Sequence, residues 1–317
     1  MIKSETIIIG GGPAGASCAL ELKSRGRQAV ILDKEAFPRS KLCAGWITPA
    51  VLRDLAIQPQ DYPYGMLTMK RLQINVFGRR FTLPTRQYSI RRDEFDSWLL
   101  GRTGVTVFTH QARKIHKRDG SYIIDDAFSC KYLVGAGGTF CPVYTALFKD
   151  IRPRAPESLV LAMEKEIPCS TKDNLSRLWF FEHGLPGYAW CVPKEGGCVN
   201  AGVGGSYSGM KKKHMSIRSH WDSLTEKLEN LSIDSRECSA PRGYAYYTRQ
   251  DTGPADLNTA YLVGDAAGLA TVDMGEGIGP AVRSGILAAR AIADGKRYLL
   301  GSVRRFSLRD ILLPGRA

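Results

Sequence analysis

The sequence has no run of about 18 uninterrupted apolar residues, the least that a membrane-spanning helix needs. No signal-peptide core follows Met1-Ile2-Lys3-Ser4-Glu5, which leads straight into a short apolar segment. These two absences predict a cytoplasmic protein. The eight cysteines (Cys18, Cys43, Cys130, Cys141, Cys169, Cys191, Cys198 and Cys238) form no C-x-x-C pair, and no histidines accompany them at zinc-ligand spacing. No metal site is expected, and most of the thiols read as reduced, packed side chains. Internal repeats and low-complexity tracts are also missing.

Acidic residues are in the minority, 31 against 44 lysines and arginines, for a net charge of +13. An excess of that size points to an anionic partner: a dinucleotide pyrophosphate, a phosphorylated substrate, an acidic lipid surface or nucleic acid. The densest basic spots, Lys211-Lys212-Lys213-His214 and Arg304-Arg305, lack interleaved aromatics and any nucleic-acid module signature. They read as solvated faces, nucleic acid is not expected, and a peripheral contact with an anionic membrane stays open.

The 317 residues, 44% of them hydrophobic, suffice for one large domain or two intertwined ones. Residues 6–33 read as strand, glycine-rich turn, helix and strand, a βαβ unit. A loop with Pro38 and Pro49 follows, then a helical segment near Pro49 to Leu55. Residues 65–90 alternate as a hairpin around Gly78, and Glu94 to Leu100 is a helix. Short strands lead to Gly135, Gly137 and Gly138. Residues 157–250 are dominated by strands, with one helix from about Ile217 to Asn230. The strand Ala260-Tyr261-Leu262-Val263 and a helix over about 277–293 then return to nucleotide-fold character.

Gly10-x-Gly12-x-x-Gly15 lies between the first strand and the first helix. There, glycines permit a tight turn, close approach of a pyrophosphate to the backbone, and helix–strand packing; Ala14 lies within the same turn. The helix N-terminus faces the anion. Asp33 ends the second strand 18 positions beyond Gly15, where a carboxylate can accept hydrogen bonds from an adenosine ribose. The pattern predicts dinucleotide binding and leaves NAD and FAD open.

The C-terminal block distinguishes them. Gly264-Asp265-Ala266-Ala267-Gly268 and Met274-Gly275-Glu276-Gly277-Ile278 resemble the second flavin motif of the FAD family that includes aromatic hydroxylases, flavin halogenases and geranylgeranyl reductases. The resemblance implies that Asp265 binds the ribityl chain and that amides at Gly277 and Ile278 face the isoalloxazine. Arg91-Arg92-Asp93-Glu94-Phe95-Asp96-Ser97-Trp98-Leu99 is similar to the family's Arg-x-x-Phe-Asp-x-x-Leu helix and implies a cofactor contact for Arg92; an ion pair with Asp96 is the alternative. Strand alignment puts Ala112 where the family sets a backbone group against adenine.

Three segments resemble the geranylgeranyl reductase branch. Pro38-Arg39-Ser40-Lys41-Leu42-Cys43-Ala44-Gly45 is similar to its Pro-x-x-Lys-x-Cys-x-Gly loop, which implies that Cys43 and Ala44 lie beside the flavin. Tyr188-Ala189-Trp190-Cys191-Val192-Pro193 is similar to its Tyr-x-Trp-x-Phe-Pro substrate wall, with Val192 replacing phenylalanine. Gly275-Glu276-Gly277-Ile278 comes with Gly268 where hydroxylases carry histidine. Tyr188 and Trp190 alternate, so they share one strand face and can wall an apolar pocket or simply fill a core. Cys43, with Lys41 two residues away, is the catalytic candidate; it either donates a proton or shapes the pocket.

The expected fold is α/β: a Rossmann-like FAD-binding domain (1–64, 91–156 and 255–300) with an interleaved β-rich substrate domain (65–90 and 157–254) and a short tail (301–317). The expected function is an FAD-dependent oxidoreductase reducing carbon–carbon double bonds of an isoprenoid or other apolar substrate, with NAD(P)H or a protein as external electron donor. A flavin monooxygenase is the nearest rival. A halogenase would carry Trp-x-Trp-x-Ile-Pro, and a non-catalytic FAD-binding protein is the remaining alternative. Departures from the branch are Gly137 in place of the aspartate of Gly-Ala-Asp-Gly, the Val272-Asp273 loop, and little sequence after the last helix to close a substrate cavity, so a long pocket would be open or lipid-covered.

Overall fold

A computed structural model describes residues 1–169, 173–235 and 240–312; Cys238 and the end of the expected tail, 313–317, lie outside them. In chain order the elements begin with β1 (Ile2–Ile9), α1 (Pro13–Ser24), β2 (Ala29–Asp33), β3 (Trp46–Ile47), α2 (Pro49–Asp54), β4 (Leu67–Val76) and β5 (Arg79–Ser89). Next come α3 (Arg92–Thr103), β6 (Thr106–Thr109), β7 (Ile115–Arg118), β8 (Ser121–Ile124), β9 (Phe128–Gly135), β10 (Leu159–Pro168), β11 (Leu175–Phe180) and β12 (Gly187–Lys194). The chain continues with β13 (Cys198–Ser206), α4 (Tyr207–Lys212), α5 (Ile217–Glu229), β14 (Arg242–Tyr247), β15 (Asp256–Leu257), β16 (Ala260–Leu262), α6 (Ile278–Asp294) and α7 (Leu308–Leu312).

Two compact units are interleaved along the chain. The first comprises Met1–Arg39, Asp93–Arg154 and Tyr247–Phe306; the second comprises Ser40–Arg92 and Ala155–Tyr246, together with α7. The Cys43 loop therefore groups with the strand-rich unit, whereas the sequence reading assigned residues up to 64 to the nucleotide-binding part. The physical reason is that hydrogen bonds tie the Cys43 and Ala44 peptide groups to side chains of β10 and β12.

In the first unit, strands run in the order β15-β16-β9-β1-β2-β6, with β7 and β8 continuing antiparallel from β9. β1 pairs parallel with β2 and β9 along both edges, and consecutive Ile7 and Ile8, which point to opposite faces, are both fully buried, so its C-terminal half is covered on both faces. α1 is buried along Ala14, Gly15, Ala16, Ser17, Cys18 and Ala19 because α6 lies against it. Small residues make that approach possible: a Cβ added at Gly285 of α6 would run into the Ala14 carbonyl.

In the second unit, the strand order is β14-β10-β13-β12-β11-β4-β5-β3; from β10 to β3 the pairs are antiparallel except for the parallel pair β11–β4. One face is closed by α5, whose Trp221, Leu224 and Leu228 pack with Ala189, Cys191, Val199, Ala201 and Val203. Strand alternation then sends Tyr188 and Trp190 to the opposite face. On that face the register forms two cross-strand rows, Glu164–Gly202–Trp190–Leu178–Ile74–Phe81 and Ala162–Gly204–Tyr188–Phe180–Val76–Arg79.

Candidate active site

In the first unit the glycine turn has a tight geometry that could hold a pyrophosphate. Gly10 has φ +111°, and a Cβ there would strike the Ala136–Gly137 peptide. Gly12 caps α1 without a side-chain hydrogen bond, and the helix's first turn carries no acidic residue, which leaves its N-terminal amides for an anion. Asp33 is 5% exposed; its Oδ2 accepts the Gly11 N–H at 2.7 Å and its Oδ1 accepts the Glu35 N–H at 3.1 Å. The carboxylate that terminates β2 thus also fixes the turn. The His110 N–H donates to the Asp33 carbonyl at 2.7 Å, which brings the β6–β7 loop, with buried Ala112, to the end of β2.

The two halves of the flavin motif meet within this unit. A Cβ at Gly264 would lie 3.1 Å from the Ala14 Cβ, and one at Gly277 would lie 3.4 Å from Oδ1 of Asp265. Gly10, Gly12, Ala14, Gly15, Asp33, Asp265, Gly277 and Ile278 therefore belong to one continuous surface along β1, α1 and the start of α6. Backbone open to an anion at α1, beside a carboxylate turn leading to a second helix N-terminus, fits FAD.

Two arginines that the sequence reading missed hold the Asp265 turn. Arg154 donates to the Thr139 and Ala266 carbonyls at 2.5 and 2.8 Å, and its guanidinium stacks 3.6 Å from the Tyr144 ring centroid. Arg152 donates to the Ala267 carbonyl at 3.2 Å and also reaches the Gln250 and Gly253 carbonyls. Burial pulls both guanidiniums below their ordinary pKa. Glu276 Oε1 accepts the Gly279 N–H at 2.5 Å, in the first turn of α6, and burial pushes this carboxyl up to about 7.

In the second unit the Cys43 loop is gripped from both sides. The Cys43 N–H donates to Glu164 Oε1 at 2.5 Å, while Lys194 Nζ donates to the Ala44 carbonyl and, at 2.7 Å, to that of Ile90. Glu164 and Lys194 are each 3% exposed. Gly45 has φ +63°, and a Cβ there would collide with the Ile90 carbonyl and Lys194 Nζ, so this tightness needs glycine. Arg92, buried at the start of α3, lies two residues beyond the Ile90 carbonyl that Lys194 holds.

The same carboxylate reaches the aromatic wall. Asn200 Nδ2 donates to Glu164 Oε1 at 3.3 Å, Tyr244 Oη donates to Oε2 at 3.2 Å, and Trp190 Nε1 donates to Asn200 Oδ1 at 2.7 Å. Tyr188 and Trp190 have ring centroids 5.8 Å apart. Trp190 lies over Gly202, where a Cβ would overlap its indole. Burial pushes the Glu164 carboxyl above the usual range, against the pull of its three donors, and pulls the Lys194 ammonium below its own. Cys43, Ala44 and Trp190 thus share one hydrogen-bonded network with Glu164, Asn200, Tyr244 and Lys194, and Tyr188 packs on Trp190. The sequence reading named none of these last four, although the two-residue spacing of Gly202 and Gly204 signals a strand with one bare face.

Residues 5–90 match the family model described as FAD dependent oxidoreductase. An uncharacterized protein of Methanosarcina barkeri is 30% identical over 93% of this chain and 76% of its own length. Menaquinone reductase of Mycobacterium tuberculosis is 24% identical over 91% of the chain and 76% of its own, and geranylgeranyl diphosphate reductase of Rhodobacter capsulatus is 25% identical over 92% and 75%. Among solved structures, a geranylgeranyl bacteriochlorophyll reductase-like protein from Thermoplasma acidophilum superposes with a TM-score of 0.79, at 20% identity, covering 93% of this chain and 79% of that one. The chain is an FAD-dependent oxidoreductase. Within that class, the chain belongs to one family with the Methanosarcina barkeri protein, and it is similar at 24–25% identity to the menaquinone and geranylgeranyl diphosphate reductases.

Proposed function

We propose that the enzyme reduces carbon–carbon double bonds in an isoprenoid or similarly apolar substrate. The observation that carries this reading is the sheet face on which Trp190 and Tyr188 adjoin the clamped Cys43 loop: an apolar wall with one polar network at its end. The reductase names of the Rhodobacter and Mycobacterium relatives support it.

When bound, FAD re-reduced by NAD(P)H or a protein donor would supply the hydride for one alkene carbon. The chain's own residues do the rest. Gly10, Gly12, Ala14 and Gly15 would hold the pyrophosphate with α1 amides, Asp33 would take the ribose, and Ala112 would serve the adenine. Asp265 would take the ribityl chain, Arg92 would contact the cofactor, and the Gly277 and Ile278 amides and Ala44 would serve the flavin ring. Tyr188 and Trp190 seat the apolar chain and exclude water. Cys43 Sγ carries the proton for the second alkene carbon, and Glu164 and Lys194 fix its loop so that the thiol keeps its place.

The test is anaerobic single turnover of the dithionite-reduced holoenzyme with candidate polyprenyl substrates, read by flavin absorbance and by product mass. Reoxidation with addition of two hydrogens is expected. Turnover that requires dioxygen and inserts oxygen would instead establish a monooxygenase and overturn the reading. The Cys43 role has its own check: unchanged reoxidation in Cys43→Ala removes that thiol from catalysis.

A further inference from the structure

The sheet face that ends at Trp190 begins, at its other edge, in exposed aromatics. Phe77 is 81% exposed, Phe181 49% and Phe81 47%. Phe77 and Phe181 stack with ring centroids 5.7 Å apart and planes 20° from parallel. From there the rings continue inward: Phe181 to Phe180 at 5.9 Å, Phe180 to Tyr188 at 5.1 Å, Tyr188 to Trp190 at 5.8 Å. Both stacked residues occupy left-handed backbone, φ +49° at Phe77 and +59° at Phe181. For a bulky side chain that conformation is uncommon, and at a solvent-facing turn glycine or asparagine would relieve it. Two large apolar rings are thus held outward at positions where burial within the chain gives no return.

The surroundings of the pair are basic. Gly78-Arg79-Arg80 follows Phe77, with both arginines exposed. Lys213 Nζ donates to the Gly184 carbonyl at 2.9 Å, and the Gly184 N–H donates to the Phe181 carbonyl at 3.2 Å, which sets Lys213 beside the second turn. Lys211 and Lys212 precede it on α4. The acid of this turn, Glu182, is paired with Lys227 at 2.8 Å. Exposed phenylalanines rimmed by cations that have no acidic partner among the described residues complement an anionic bilayer, where rings enter the headgroup–acyl boundary and cations meet lipid phosphates.

We propose that this tip, formed by the β4–β5 turn and the turn at Phe181, docks the protein on an anionic phospholipid surface. Phe77, Phe81 and Phe181 enter the interface, and Arg79, Arg80 and Lys213 contact the headgroups. Docking does not depend on the reductase reading, since it is measured without turnover.

The experiment is co-sedimentation of the FAD-loaded protein with vesicles of phosphatidylcholine alone and of phosphatidylcholine mixed with phosphatidylglycerol. The wild-type protein is expected to bind the mixed vesicles. F77S/F181S should bind at least about tenfold more weakly, and R79Q/R80Q should lose about fivefold per charge on the mixed vesicles alone. Phe77→Trp keeps the tip aromatic and reports directly: its emission should move to the blue on mixing with vesicles. No binding by the wild type, binding unaffected by F77S/F181S, or an unshifted Phe77→Trp spectrum would each overturn the proposal. So would a wild-type dimer that binds no vesicles and that F77S/F181S splits, which would make the tip an interface between copies.

Discussion

The amide nitrogen of Cys43 lies 2.5 Å from Oε1 of Glu164, a carboxylate on β10 that is 121 positions away in sequence. One peptide further on, Lys194 takes the Ala44 carbonyl. Two buried side chains of opposite charge thus hold consecutive backbone groups of the loop that carries the candidate thiol.

Removing the carboxylate should release that loop. Glu164→Ala leaves the Cys43 amide, Asn200 and Tyr244 without their shared acceptor, at a stability cost of about 1–3 kcal/mol. Anaerobic reoxidation should slow at least about tenfold, because a displaced reacting group loses alignment. Glu164→Gln restores an acceptor at Oε1 and should recover most of the rate. Equal losses in the two variants would show that the charge or proton of Glu164, rather than its grip on Cys43, is what matters.

Glu276 gives a pH signature. Its folded-state pKa, raised from 4.5 to about 7, means that the folded protein binds this proton more tightly than the unfolded chain does. Its contribution is therefore complete below pH 4.5 and is lost as pH rises through about 7. Glu276→Gln removes the titration, so its melting temperature relative to wild type should climb across that window and level off above it. A difference that stays constant with pH would refute the assignment.

Filling the bare face of β13 should disturb the aromatic wall. An alanine Cβ at Gly202 would overlap the Trp190 indole and come within 2.8 Å of the Glu164 Cβ. Urea denaturation of Gly202→Ala should show a loss of about 1–3 kcal/mol, with weaker binding of an apolar substrate. Wild-type stability would mean that Trp190 moves freely.

Half-buried Arg154 under the Asp265 turn should support cofactor retention. Arg154→Met removes the donors to the Thr139 and Ala266 carbonyls and the stack on Tyr144. At about 1–3 kcal/mol for the stranded carbonyl groups, FAD affinity should fall about tenfold or more on gel filtration or titration of the apoprotein. Unchanged affinity would confine Arg154 to a role in folding.

The sequence by itself determined the nucleotide-binding half, because its chemistry is local: Gly10, Gly12 and Gly15 are dictated by a tight turn at a helix start, and Asp33 by the end of the next strand. It also marked Cys43, Tyr188 and Trp190 by their resemblance to a family pattern. Glu164 was illegible, since in Leu159–Pro168 it reads as one more solvent-facing polar residue of an alternating strand. Only the pairing of β10, β13 and β12, which lays Glu164 across Gly202 from Trp190, buries it and brings Cys43, Asn200 and Tyr244 to its oxygens. Phe77 and Phe181 are likewise 104 positions apart by number, and only the β11–β4 register stacks them. Backbone turns are specified within a few residues. Register and burial are decided by strands distant in the chain, and those placed the carboxylate, the lysine and the outward-facing rings.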